Sequence, residues 1–362
     1  MAAKYLAWVE KRHADFDWDE ALKKPVEKWE KTVADQRKKG DAEDKLPPKP
    51  IRETLRSWNV PGRSPSDAAS CYNGMFGVFK GLNIKGVAFH QGFNNSMMNT
   101  SCKPKLYRIL MKLMVDGWRE DFNDPQLPVA IIGLCAGGKA QTGLNFEELG
   151  FSTAAYIRES QRLGLADAKD LANTAFIPSY DQKIPQLHTK KKKELGLRSA
   201  RWALKTIYGM DDIVWDTANL LSATPEDGKI LLTFDKPVRP DDFGSELEGF
   251  SIADEAGVHY LAHAEHVQVR DKNQRYKQIL VSSPLVKEPV SVRYAWARAP
   301  MGNLKVNGIP WQPLHSFRTD AIDFTPEVAH QDPDGKTKNS EAIKALKTKA
   351  AEALKARNEQ GG

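Results

Sequence analysis

The stretch Ile84-Lys-Gly-Val-Ala-Phe-His-Gln-Gly-Phe-Asn-Asn95 decides how this chain is read. Val87, Ala88 and Phe89 form a short apolar run of the kind a buried strand uses, and the run stops at His90, Gln91, Gly92, Asn94 and Asn95. A strand end that spills amides and a glycine into a loop is where α/β enzymes place ligand-facing groups. Gln and Asn side chains carry N–H donors suited to a developing oxyanion, and glycine lets a backbone N–H approach as well. The blander alternative is an ordinary polar strand-to-helix loop.

Downstream, the pattern alternates. A helix is expected over about 104–121, where Leu106, Ile109, Leu110, Leu113 and Met114 recur at helical spacing. A strand follows at 127–134, a helix around 147–164, a strand at 172–179 and a helix around 190–207. Strand–helix–strand order argues a parallel sheet with helices on both faces. After Asp212 the runs are short, alternating and bounded by Pro, Gly and Asp: Ile230–Phe234, Gln278–Val281 and Val290–Tyr294. These predict an antiparallel β-sandwich of about 100 residues. Upstream, residues 1–44 read as charged helix with an incomplete apolar stripe of Trp18, Val26, Trp29 and Val33. Pro47, Pro48, Pro50, Pro61 and Pro65 make 45–66 an extended loop. The tail is polar loop over 331–339 and then an Ala/Lys-rich amphipathic helix over 340–357. The expected organisation is a helical and Pro-rich segment at 1–70, an α/β core at 71–211, a β-sandwich at 212–320 and a linker with tail helix at 321–362.

Composition narrows the function classes. The 362 residues are 41% hydrophobic and 28% charged, as in ordinary globular domains. The net charge of +6 comes from 53 basic and 47 acidic residues scattered together, so no nucleic acid partner is expected. The run Lys190–Lys193 reads as a solvated helix start. Cys71, Cys102 and Cys135 are widely spaced, which gives neither a metal knuckle nor a disulfide framework. No apolar run reaches the ~20 residues of a membrane span, and Met1–Trp8 lacks the h-region of a signal peptide.

The block Gly86-Val-Ala-Phe-His-Gln-Gly-Phe-Asn-Asn95 resembles the G-V-x-W/F-Y/H-Q-G-E-S-N block of the sialate O-acetylesterase family, carbohydrate esterases of the SGNH-hydrolase superfamily. Further segments resemble that family in the same order: Tyr72-Asn-Gly-Met75, the helix from Tyr107 to Trp118-Arg119, Tyr156-Ile-Arg-Glu-Ser-Gln161, and His188 followed by Arg198, Ala200, Trp202, Ala203 and Leu204. Val292–Trp296, Pro300, Asn303-Leu304 and Phe317–Asp320 resemble its terminal β-domain. The likeness runs over roughly residues 3–320. It implies a three-layer α/β/α, flavodoxin-like hydrolase core followed by the β-sandwich. It also implies acyl transfer to water: a serine attacks an acetyl carbonyl, His188 takes its proton, and a carboxylate orients the imidazole. Gln91, Gly92 and Asn95 are then the oxyanion or acetyl-positioning groups, and an acetylated carbohydrate is the substrate. No cofactor or metal is implied.

The chain departs from the family in four places. The G-x-S/T-S-W-G-G-T-type block with the nucleophile has no counterpart, although Tyr5-Leu-Ala-Trp8 resembles the segment that follows it. The expectation is that the serine lies upstream of Met1, with export to an extracellular or periplasmic home if a leader was lost with it. Gly62-Arg-Ser64, Gly150-Phe-Ser152 and Gly249-Phe-Ser251 lack the second glycine of a nucleophile elbow, so none substitutes. Gln186 stands where a carboxylate usually sits two residues before the histidine; Asp181 is the alternative acid, unless it caps a turn. Phe93 replaces the glutamate of Q-G-E, and Thr189 replaces a proline.

Two further signals are read as structural. His259, His263 and His266 have metal-like spacing but do not share a strand face. Trp296 and Trp311 are read as sandwich core rather than sugar platforms. Two readings stay open: an O-acetylesterase, and a catalytically inactive relative that binds a glycan or another protein through the same cleft.

Overall fold

The computed structural model describes residues 10–11, 13–53, 55, 70–97, 103–150, 153–166, 173–182, 192–242, 244–306, 312–321, 348, 351–352 and 355–359. The chain divides into two compact units, Met1–Leu82 and Asn83–Gly362. In the first, helix α1 (Trp18–Lys38) is N-capped by Asp17, whose carboxylate accepts from the Asp19 and Glu20 amides. That cap offsets two of the donors a helix start leaves unpaired. Val33 is the buried residue of its apolar stripe, and the Trp29 indole donates to the Pro47 carbonyl at 2.6 Å. The first proline-rich turn is thereby tied to the helix.

The second unit holds the parallel sheet. Strands β1 (Val87–Phe89), β2 (Val129–Ile132) and β3 (Thr174–Ile177) lie in the order β1-β2-β3, all parallel, with Val87 opposite Val129 and Ala130 opposite Ala175. Among the described residues, the helices that accompany them are α2 (Phe93–Met97), α3 (Pro104–Asp121), α4 (Phe146–Leu149), α5 (Thr153–Ala166) and α6 (Lys193–Thr206). Ala130, Ile132, Ala175 and Ile177 pack on one face against Leu195 and Trp202 of α6. On the other face, Leu134 and Phe89 meet Tyr107 and Met111 of α3 and Ala154 and Ile157 of α5. This is the three-layer arrangement that the alternating pattern predicted. No helix among the described residues is long and apolar enough to cross a membrane.

One expectation is corrected. Helix α3 runs over the expected residues, but Leu106, Ile109, Leu110 and Leu113 are exposed. The buried face is Tyr107, Met111, Val115 and Trp118. Both stripes have helical period, so periodicity alone does not set the phase. The aromatic side wins because Trp118 meets Phe89 edge-on at 5.3 Å while Tyr107 reaches the end of β1. Helices α3 and α5 approach closely at Gly164, where an added Cβ would lie 2.7 Å from the Arg108 carbonyl and 2.9 Å from the Met111 Cβ. Gly164→Ala is therefore expected to destabilise the protein by about 1–3 kcal/mol in urea unfolding, although alanine is the better helix former. A stabilised variant would show that the two helices are free to part.

The remaining strands are antiparallel. One sheet has the order β4 (Leu220–Glu226), β5 (Lys229–Phe234), β10 (Gln278–Ser282), β9 (His263–His266). A second has the order β13 (Phe317–Arg318), β11 (Ser291–Tyr294), β7 (Phe250–Ala253), β8 (Tyr260–Leu261). Strands β6 (Val238–Arg239) and β12 (Lys305–Val306) form a third pair. Along β5 every second residue is buried, and Leu232, Ile279 and Val281 share one core with Phe250, Ile252, Val292, Tyr294 and Phe317. Two inner faces enclosing one core make the sandwich. Tyr180, just beyond β3, enters that core and donates to the Leu314 carbonyl at 2.8 Å.

Of the tail, Arg357 is described: its guanidinium donates to Glu147 of α4 at 2.7 Å, which docks this end of the chain. Trp311 and most of the expected tail helix lie outside the described residues.

Candidate functional site

The loop that leaves β1 at its C-terminal end carries Gln91, Gly92 and Asn95, and the loop after β3 carries Asp181. Gly92 turns the chain with φ +138°, a backbone that suits glycine. A Cβ there would sit 2.9 Å from the Tyr107 hydroxyl, 3.0 Å from Leu134 Cδ2 and 3.1 Å from Gln161 Nε2, so the position has no room for a side chain. The Gln91 amide donates from Nε2 to Asn95 Oδ1 at 3.0 Å, and both belong to the solvent-facing side of the turn. Beneath them, Gln161 of α5 is fully buried; its Nε2 donates to the Gln91 carbonyl at 2.8 Å, and its Oε1 accepts from the Leu134 amide at 3.1 Å. The Tyr107 hydroxyl lies 3.2 Å from both Gln91 O and Gln91 Oε1. Burial pushes the Tyr107 phenol up to about 12, so it stays protonated and able to donate.

Asp181 follows β3. It is held by Arg198 of α6 in a two-point pair, Nη1 to Oδ1 at 2.8 Å and Nη2 to Oδ2 at 2.5 Å, and Gln182 donates to Oδ2 at 3.2 Å. The Arg198 side chain is 3% exposed and Asp181 24%, so one flank of the carboxylate still faces out. Arg198 also donates to the Pro178 carbonyl, which fixes the fork in place. His188, with Gln186 and Thr189, lies outside the described residues. Phe93 turns into the core with Ala130 and Tyr107. Two described serines near these strand ends are buried: Ser96 donates to the Phe93 carbonyl and Ser179 to the Gly133 carbonyl. Neither presents a hydroxyl to solvent.

Residues that nothing local in the sequence connects also meet here. Cys135 Sγ lies 3.7 Å from His90 Nε2, a pairing of the kind that activates a thiol. Cys135 is 1% exposed, however, and burial pushes its thiol up, which describes an inert cysteine. Under native conditions Ellman's reagent is expected to spare Cys135 and to reach the exposed Cys71; a fast-reacting thiol that disappears in Cys135→Ser would contradict this. The β-domain holds another arrangement that imitates a reactive centre. Ser251 Oγ is 3.2 Å from His259 Nδ1, and His259 Nε2 is 3.5 Å from Asp320. These are the residue types of a hydrolytic triad, yet all three side chains are buried and Asp320 is also bound by Arg293 and Arg318. A site that admits no substrate performs no acyl transfer.

The three histidines with metal-like spacing have separate surroundings. His259 is buried against Ser251, His263 is exposed, and His266 Nε2 donates to the Val238 carbonyl at 2.8 Å. Trp296 packs in the core against Tyr156, ring centroids 5.2 Å apart.

No protein-family profile and no curated protein sequence matches the chain. Among solved structures, it is similar to a carbohydrate acetylesterase from Xanthomonas citri, with 27% sequence identity and a TM-score of 0.58. The similarity covers 69% of this chain and 54% of that protein, so the chain spans about half the length of the acetylesterase it matches.

Proposed function

We propose that this chain carries the histidine-and-amide part of an O-acetylesterase acting on acetylated sugars, sialic acids among them. The observation that carries the reading is the Gln91–Gly92–Asn95 turn at the C-terminal end of a parallel strand, in a fold similar to a carbohydrate acetylesterase. In this reading His188 takes the proton from a serine hydroxyl as it attacks the acetyl carbonyl. Gln91, Gly92 and Asn95 receive the negative charge that develops on the carbonyl oxygen. The sugar hydroxyl leaves with the proton from His188, and water then releases acetate by the same steps in reverse order. Asp181 orients the imidazole.

The experiment is acetate release from O-acetylated sugars by the natural full-length product, beside its His188→Ala and Gln91→Leu variants. Loss of about 10⁶-fold in kcat with His188→Ala and of about 10²–10³-fold with Gln91→Leu is expected. Equal rates in all three proteins would reject the assignment.

One observation favours the second reading, a binding module without turnover. The two-point Arg198 pair occupies Asp181, and Gln186 supplies no charge to stabilise an imidazolium. A folded full-length protein that binds O-acetylated sugars and releases no acetate would establish that reading.

A further inference from the structure

We propose that Tyr107 and Gln161 are positioning residues that fix which end of the exposed Gln91 amide faces solvent. The inference rests on the reading of Gln91 as an oxyanion donor. A glutamine serves as a donor only with its NH₂ turned outward, and a 180° flip would present a carbonyl oxygen instead. Both neighbours are buried and must satisfy their polar atoms inside the protein. Gln161 has its Oε1 committed to the Leu134 amide, so its NH₂ faces the other way and donates to the Gln91 main-chain carbonyl at 2.8 Å. That carbonyl already has its donor. The Tyr107 hydroxyl, its oxygen 3.2 Å from Gln91 Oε1, then has its single proton best placed on the side-chain oxygen and holds it inward. With Oε1 turned in, Nε2 is turned to the exposed side, where it donates to Asn95 Oδ1 at 3.0 Å. The steric fit supports the same conclusion: Tyr107 and Gln161 are two of the three groups pressed under Gly92, so the relay and the turn are locked as one unit. It joins the β1 end to the β2 end through α3 and α5, across 16, 27 and 70 residues of chain.

The test is a double-mutant cycle on p-nitrophenyl acetate turnover by the full-length protein. Tyr107→Phe keeps the ring and removes the donor; it is expected to lower kcat about tenfold with KM unchanged, less than the loss of an oxyanion donor itself. In a Gln91→Leu background the same substitution is expected to have no further effect, because Tyr107 acts through Gln91. An equal fall in both backgrounds would mean that Tyr107 only supports the fold and would overturn the proposal. A second readout is independent of turnover and separates this failure from failure of the esterase reading. The Gln91 side-chain amide, followed by NMR hydrogen exchange, is expected to exchange at least ~10-fold faster in Tyr107→Phe and in Gln161→Met. Unchanged exchange in both variants would overturn the positioning role even in an active enzyme, and faster exchange in an inactive protein would uphold it.

Discussion

Arg318→Met is expected to destabilise the protein by about 3–5 kcal/mol, the largest single effect the structure implies. The Arg318 Nε donates to both oxygens of Glu159, at 3.0 and 2.9 Å, and Nη1 donates to Asp320 at 3.0 Å. Glu159 belongs to α5 of the α/β core and Arg318 to β13 of the sandwich, so this pair ties the two parts of the second unit together. The guanidinium also lies over the rings of Tyr156 and Trp296, 5.1 and 5.6 Å from their centroids. One residue earlier on the same helix, Arg158 is fully buried and donates to the Ala297 carbonyl. Adjacent helix residues do not face each other, and each makes its own bond to the sandwich. Removing Arg318 leaves a carboxylate at 9% exposure without its partner, and burial already pushes Glu159 up. Pairing Arg318→Met with Glu159→Gln should recover part of the loss, since an uncharged amide is cheaper to bury. Urea midpoints at constant m-value provide the measurement; a loss under ~1 kcal/mol would mean that the pair is solvated and weak.

The second large effect is acid lability. Burial holds His259 at about 4 and His315 at about 3, both well below an ordinary histidine. His259 faces Asp320, Arg293 and Ser251, and the Arg162 guanidinium adds its repulsion at His315. A histidine lowered in the folded state stays neutral while the unfolded chain takes up a proton. Stability is therefore fully present above pH ~6.5 and is lost as pH falls towards the folded values. The expected slope is about 1.4 kcal/mol per pH unit for each histidine below pH ~6. Asp320 is held well below the usual carboxylate range: burial opposes this, but the bonds from His259 and Arg293 prevail, and its contribution is lost only at still lower pH. Raised Glu159 works in the opposite direction within the carboxylate range. Burial lowers His266 as well, so it adds to the histidine slope that begins as pH falls below about 6.5. Unfolding free energies should fall more steeply as pH drops from about 6.5 to about 5, and His315→Gln should remove part of that slope; a flat profile would contradict the burial of both rings.

What could be read in the sequence was local. The apolar run of β1, the amides and glycine that end it, the strand–helix alternation and the period-two runs of β5 and β10 all carry their signals within a few residues. The phase of α3 was not legible, because Leu106, Ile109 and Leu113 have the same spacing as the face that packs. Nor was the support of the site. Gln161 and Gln91 are 70 residues apart, Glu159 and Arg318 are 159 apart, and nothing in either neighbourhood names the other. Gln161 did leave one trace, a polar residue on a helix face with Ala154 and Ile157, which needs a partner once that face is buried. Asp181 was legible as a carboxylate at a strand end, but its engagement by Arg198 depends on how α6 folds back.

The most direct test of the central claim is an NMR titration of the protein with an O-acetylated sugar, followed at the Gly92 amide and the Gln91 and Asn95 side chains. Saturable shifts at these three residues that vanish in Gly92→Val, where the new side chain collides with Tyr107 and Gln161, are the predicted result. Saturable binding that leaves them unmoved and shifts only the sandwich strands would contradict the account and place the sugar elsewhere.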